Sequence, residues 1–479
     1  MTGRQWRPLR LRGIVLLTAL TVIAASLATG RMGVAVATRV SHVGSATAAG
    51  DWLMYRGSAE GNPVLTTGQN LAVNWVSPPL KSLAVEVMPH GNALYVGGMT
   101  LPFAPQKVQF HDPFYALDVR TGQILWSTFT PNWHTRAPIV VNGVIYLGVG
   151  NSWAASGPPV DWDTVVRGTG PSGVYAYNAT TGQLLWAFST PGAVHNTPLY
   201  DNGMIYAVTG DRMFYAINAQ TGTLAWKLAI PSYDSVSSPI LVGNLVYFGG
   251  AHPYAVYAVN IATHTIAWQT RLPQVTGATD DCTPAVSGGL VYIEGATSSR
   301  FKVMPPTGTP IDEKLFALDA RTGKIVWTFD EGLGHSPFFY AASTPTVVGT
   351  TVYFGSSVTN SFYAVDAHTG ALRWAFHLGQ KWTLANMIGE SGTVANGIVW
   401  TGTYAGLLLG LRAGDGAVLV KKQLPLGRGA QIYAGSPVVV DRTLLMTSSF
   451  AGRVLAFSIP QLLQQANVAP RASPRIQPK

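Results

Sequence analysis

YALDVRTGQILW, running from Tyr115 to Trp126, is a stretch that this chain writes again and again. It returns as YAYNATTGQLLW (Tyr175 to Trp186), YAINAQTGTLAW (Tyr215 to Trp226) and YAVNIATHTIAW (Tyr257 to Trp268), the last with His264 in the Gly position. FALDARTGKIVW (Phe316 to Trp327) and YAVDAHTGALRW (Tyr363 to Trp374) follow. LGLRAGDGAVLV (Leu409 to Val420) is a degenerate copy with Val420 in the Trp position, and VLAFS (Val454 to Ser458) is the first half of another. Each copy joins two short runs of branched and aromatic residues, which read as strands. Between them Asp or Asn can accept backbone N–H bonds locally, and Gly supplies the positive φ of a tight hairpin. The closing Trp is a broad flat side chain suited to lying across a neighbouring unit.

A second hairpin precedes each copy, as in VVNGVIYLG (Val140 to Gly148), YDNGMIYAV (Tyr200 to Val208) and VVGTTVYFG (Val347 to Gly355). Each unit is therefore four antiparallel strands, A to D, with a period of about 49 residues, which is a propeller blade. The last unit supplies only strands A to C. LAVNWVS (Leu71 to Ser77) places Trp75 in the vacant Trp position. An N-terminal strand then closes the final blade and removes a free sheet edge. The expected fold is an all-β, eight-bladed propeller over residues 51–458.

The 479 residues are 47% apolar and only 11% charged, with a formal net charge of +9. The charge is unevenly placed. Residues 1–37 carry five Arg and no acid, residues 459–479 carry two Arg, one Lys and no acid, and the rest nearly balances. Nucleic-acid binding needs a basic stripe on the folded body, so that class is excluded. The Arg-flanked apolar run from Ile14 to Ala28, followed by Ala35-Val36-Ala37, reads as an export signal over 1–37. The alternative is an uncleaved membrane anchor. Either way the propeller is delivered to the periplasm, the cell surface or the medium. Residues 38–50 read as a linker and 459–479 as a loose basic tail. Cys282 is the sole cysteine, which rules out an internal disulfide and reads as a buried small hydrophobe.

The repeats resemble the tryptophan-docking motifs of the pyrroloquinoline quinone (PQQ) repeat family of eight-bladed propellers. DWLMYRG (Asp51 to Gly57) resembles that family's opening segment. The resemblance implies one of two functions. Quinoprotein dehydrogenases hold PQQ and Ca²⁺ in the central funnel. Cofactor-free propellers, such as the outer-membrane assembly lipoprotein, bind partners. Here one cysteine cannot form the dehydrogenases' bridged cysteine pair, their Gly-Asp-Asn segment is absent, and no haem domain follows. The expected function is thus a monomeric binding scaffold for a protein or small molecule at the loop-rich face. The alternative is a PQQ- and Ca²⁺-dependent dehydrogenase of alcohols or sugars.

The long B–C insertions, Leu101 to Asp112, Asn151 to Gly170 and Ala296 to Glu313, rise around one mouth of the funnel. Residues just before the Pro of each A strand line that mouth. One step before it the column is mostly small and hydroxylated, with Glu86 the exception. Two and three steps before it the charged and amide groups differ from blade to blade, which suits a ligand-facing funnel. Asp280-Asp281 is its densest charge. Under the dehydrogenase reading, the resemblance implies Asp281 as the base and Glu86, Asn196 and Glu390 as Ca²⁺ ligands. It implies Arg136 facing a PQQ carboxylate, with Asn196, Asp280 and His195 beside the cofactor. Trp133, Trp153, Trp162 and Trp382 fall outside the docking slots and read as loop-core packing or a binding face.

Overall fold

The computed structural model describes residues 52–81, 83–99, 111–151, 164–234, 236–297, 308–335, 343–379, 387–389, 391–424, 436–448 and 451–466. The proposed signal and linker, Glu390, Trp153, Trp162, Trp382 and most of each long insertion lie outside the described residues.

Eight small antiparallel sheets follow one another in chain order. Blades 1 to 7 span 83–130, 139–189, 199–229, 240–271, 275–335, 346–377 and 393–423. Blade 8 takes strands A to C from 438–458 and its D strand from Trp75–Val76, with Trp75 opposite Ala456 and Val76 opposite Leu455. The N-terminal closure expected from the repeats is therefore what forms. Blade 8 also gains an innermost strand, Val64–Leu65, which runs parallel to Val438–Val440.

The conserved turn chemistry works as its residue types dictate. Asp118 Oδ1 accepts the backbone N–H groups of Arg120 and Thr121, and Asn178, Asn218, Asn260 and Asp366 do the same in their turns. The Trp of each blade then lies on the turn of the next. A Cβ placed on Gly122 would come within 2.3 Å of the Trp75 ring, so only glycine permits the ring to seat. Trp126 Nε1 donates to Ala179 O at 3.1 Å, and Tyr95 O–H donates to the same carbonyl at 3.0 Å. Blades 4, 5 and 6 repeat this double donation with Trp268 and Tyr247, Trp327 and Tyr292, and Trp374 and Tyr353. Where the Gly is replaced, His264 stacks on Trp226 with ring centroids 4.2 Å apart.

The core is a ring of layers between neighbouring blades rather than one central mass. The tail departs from expectation at its start. Ile459–Gln465 is an α-helix, and its Ile459, Leu462 and Leu463 pack into the blade 7–8 layer with Val420. Val420 fills less space than the Trp of other blades, and this helix occupies the remainder.

Candidate functional site

The mouth columns resolve into two structural rings with charged interruptions. In the hydroxyl column, Thr197 N donates to Ser238 Oγ and Ser238 N to Thr283 Oγ1. Thr344 N donates to Ser391 Oγ, and Ser391 N to Ser436 Oγ. Each blade thus borrows a side-chain oxygen from its neighbour to satisfy a buried amide. The next column ties strand A to strand B of its own blade. Ser237 Oγ accepts from Gly249 N, Ser343 Oγ from Gly355 N, and Cys282 Sγ from Glu294 N. Cys282 is therefore a fully buried structural residue, as its solitary occurrence suggested.

The opening segment does something the repeats do not announce. Residues 52–65 run through the channel and touch one A strand after another. Trp52 N bonds Val140 O in blade 2, and Tyr200 N bonds Leu53 O in blade 3. Ala59 O and Glu60 O accept from Val286 N and Val347 N in blades 5 and 6. The Asn62 amide pairs with the Val394 backbone of blade 7. Pro63 O accepts from Val439 N in blade 8. Buried Arg56 locks the segment: its Nε donates to Gly61 O at 2.7 Å, and its Nη2 to Gly392 O at 2.7 Å and Thr393 Oγ1 at 3.2 Å. The segment thus lines the channel along the inner edges of the A strands.

Beside this segment, Glu86 of blade 1 gathers three donors. Tyr55 O–H and Arg136 Nη1 reach its Oε1 at 2.8 and 2.6 Å, and Ala137 N reaches Oε2 at 2.9 Å. Arg136 Nη2 reaches on to Asp281 O of blade 5 at 3.3 Å. Strand A of blade 5 is broken into Val275–Gly277 and Ala285–Ser287. The loop between them carries Asp280 and Asp281 to the mouth. Arg167 Nη1 pairs with Asp280 Oδ2 at 3.1 Å, and its guanidinium lies 5.5 Å over the Tyr233 ring, beside Arg212 at 5.4 Å. Burial pushes the Asp280 carboxyl up, against the pull of Arg167.

Of the expected site residues, the structure joins Arg136 to Glu86 and to the Asp281 backbone. It separates Asn196 and His195 from that network. The Asn196 amide donates to Val208 O and to Asp234. His195 Nε2 shares a hydrogen bond with Thr135 Oγ1 at 2.9 Å, and burial with nearby Arg167 and Arg136 lowers its pKa to about 3. His195 is thus a neutral packing imidazole. So is fully buried His134, which bonds Thr130 Oγ1 and is lowered to about 4 by burial. Trp133 is buried beside His195 and serves packing.

Of the proposed Ca²⁺ set, Glu390 lies outside the described residues, while Glu86 and Asn196 take part in separate hydrogen-bond networks. Both Glu86 oxygens already accept from protein donors, and Arg136 is paired with Glu86. Among the described residues no group of three or more His, Cys, Asp or Glu side chains is placed to hold a metal ion. Sequence reasoning missed Tyr55, Arg56, Arg167 and Tyr233. The first two stood in a segment already singled out, DWLMYRG, whose ring-wide contacts leave no local periodicity.

Comparison with known proteins bears on both fold and function. The family profile described as outer membrane protein assembly factor BamB matches residues 111–301, 243–380 and 308–471. The tetrathionate hydrolase of Acidithiobacillus ferrooxidans is 28% identical over 377 residues, 75% of this chain and 72% of that protein. BamB from Moraxella catarrhalis aligns with a TM-score of 0.52 at 15% identity, covering 80% of this chain and 97% of that one. The quinohemoprotein alcohol dehydrogenase ADHIIG of Pseudomonas putida HK5 gives 0.55 at 14% identity, covering 90% and 83%. At such identities the two structures speak for the fold alone.

Proposed function

The chain belongs to the PQQ-repeat propeller family described as outer membrane protein assembly factor BamB, and from that premise we propose that it is an exported, quinone-independent hydrolase of a small sulfur oxyanion. The observation that carries this reading is the funnel wall. There two partly exposed guanidinium groups, Arg136 at 18% and Arg167 at 20% side-chain exposure, stand with Asp281. Guanidinium forks match oxyanion geometry and remain charged at any working pH. The similarity to a tetrathionate hydrolase over three quarters of the chain supports a substrate of that class. The N-terminal Arg-flanked apolar run supports export.

In this reading the exposed edges of Arg136 and Arg167, each also held by a carboxylate, attract the terminal sulfonates of a polythionate dianion. Asp281 accepts a proton from water as the oxygen attacks a chain sulfur. One S–O bond forms, one S–S bond breaks, and the electron pair leaves with a thiosulfate anion.

The test is incubation of the purified chain with tetrathionate, following its loss by ion chromatography, beside Asp281→Asn and Arg167→Met. Turnover lost in Asp281→Asn and weakened binding in Arg167→Met are expected. The family description favours a second reading, a scaffold that binds a partner at the same mouth without chemistry. Wild-type protein that leaves tetrathionate intact would select that reading. Saturable PQQ and Ca²⁺ binding with dye reduction would select the dehydrogenase.

A further inference from the structure

Blade 5 carries three glutamates that no part of the funnel uses. Glu294 on strand B, Glu313 on strand C and Glu331 on strand D are 0%, 0% and 7% exposed. Antiparallel register puts them on one face: Glu294 opposes Leu315, Ala296 opposes Glu313, and Glu331 falls at the bulge opposite Glu313. That face packs on blade 6, in the layer shared by Leu315, Phe354 and Tyr363.

The groups around the trio offer it hydroxyls and no cation. Ser356 Oγ of blade 6 donates to Glu313 Oε2 at 2.8 Å. Glu313 and Glu331 face each other within hydrogen-bonding reach, a contact that needs a proton between them. Both Glu294 oxygens are buried, with the Ser343 backbone N–H the donor near them. From the strand A loop comes Cys282, whose Sγ crosses the joint to Ser343 O at 3.3 Å. From blade 6 come Tyr363, whose O–H donates to Glu331 O, and behind it His377, bonded to Ser361. Asp330 is turned outward and paired with Lys314. Arg136, beyond Cys282 in the funnel, is paired with Glu86. Among the described residues no ion pair reaches the three carboxyls.

Three carboxylates cannot share a dry groove as ions, because each unpaired charge costs several kcal/mol to bury. We propose that the joint between blades 5 and 6 is an acid-set latch, packed shut while Glu294, Glu313 and Glu331 are neutral and loosened when they ionise. The direction of their proton affinities agrees. Burial first, and then mutual repulsion, hold Glu294 and Glu331 well above the carboxylate range, and burial raises Glu313 to about 7. Folded carboxyls that keep protons longer than unfolded ones stabilise the chain fully below the unfolded value near 4.5. That stability is lost as pH rises through the folded values. Loosening reaches the funnel, because Cys282 and Ser343 belong to its wall. The inference stands apart from the hydrolase reading and survives if that reading fails.

Cys282 makes the latch measurable, since it is the only thiol in the chain and sits in the joint. The rate at which a maleimide labels the native full-length protein is compared with that of the E294Q/E313Q/E331Q variant, from pH 5.5 to 8. His134 and His195 are common to both chains; as ions, Glu294 and Glu313 also hold the Cys282 thiol up, which slows wild-type labelling, so a rise in the ratio can come only from opening. The wild-type to variant ratio is expected to rise about tenfold or more across this range. A ratio constant within about twofold, or one that falls, overturns the proposal. Should the triple variant not fold, E313Q alone carries the same comparison. Amide exchange at Val358 and Glu294, set against a blade 2 reference, then reads the same opening without the thiol.

Discussion

Replacing Glu86 by Ala should damage the molecule in a way its position in a binding funnel does not suggest. Three hydrogen bonds end on this carboxylate: those of Tyr55 O–H, Arg136 Nη1 and Ala137 N. Its side chain is 8% exposed and that of Arg136 is 18%, so water cannot take over the lost contacts cheaply. Removing one partner of such a pair leaves a buried charge uncompensated and costs about 3–5 kcal/mol. Arg136 keeps its bond to Asp281 O, which favours the lower end of that range, about 3–4 kcal/mol. Unfolding about 400 residues carries an entropy near 0.9 kcal/mol per kelvin, so Tm should fall by about 4 °C. Glu86→Gln retains the shape and one acceptor and should lose about 1–2 kcal/mol. Arg136→Met should cost as much as Glu86→Ala, and the double variant should cost less than the sum of the two by about 1.5 kcal/mol or more. Thermal melts by circular dichroism, with urea midpoints as a second measure, read all four chains. A Glu86→Ala melt within about 1 °C of wild type would refute the claim that this network helps hold the ring together.

Three further outcomes follow from the packing. Gly122→Ala should cost about 3 kcal/mol or more, since the new methyl meets the Trp75 ring. Gly143→Ala, at a similar positive φ with nothing within 4 Å, should cost only the backbone penalty of about 1 kcal/mol; equal melts would mean the ring contact is not limiting. Leu462→Ala should lose about 2–4 kcal/mol although it lies in the segment expected to be loose, and an unchanged urea midpoint would show that the helix is dispensable. His134 and His195, lowered to about 4 and about 3, should show imidazole resonances that do not titrate between pH 8 and 5. Because the unfolded imidazoles take protons that the folded ones refuse, the stability these two contribute is whole above the unfolded value near 6.5. It is lost as pH falls toward 4.

The blades were legible because their information is local and repeated. A turn carboxyl or amide, a Gly and a Trp within eleven residues specify a hairpin and its docking partner at once, and six copies leave little freedom. Trp75 was legible for the same reason, being one more Trp with one vacant slot. Residues 52–65 were not, because most of their contacts are with strands far along the chain and each blade contributes only a few bonds. Ile459–Gln465 was obscured by the Pro and the basic residues around it, although the missing Trp at Val420 left a space needing a filler. At the mouth, Asp280-Asp281 stood out by charge density and does reach the funnel. Glu86 stood out as the exception in its column, but sequence could not reveal that Tyr55 and Arg136 had already claimed it. The trio in blade 5 was invisible because each glutamate is an ordinary strand residue until register sets all three on one face.

The opening segment also bears on how the molecule comes to exist. Arg56 bonds to Gly392, which lies 336 residues away, and Trp75 must wait for Val454–Ser458 before it has a strand to pair with. The first segment of the propeller is thus satisfied only when the last blade is complete. Contacts of such sequence separation make folding slow and leave apolar edges uncovered in every partial chain. A chain stopped short of residue 451 would leave Trp75 without its partner strand and blade 8 open at a seam. Ring closure therefore waits for the strand ending at Ser458.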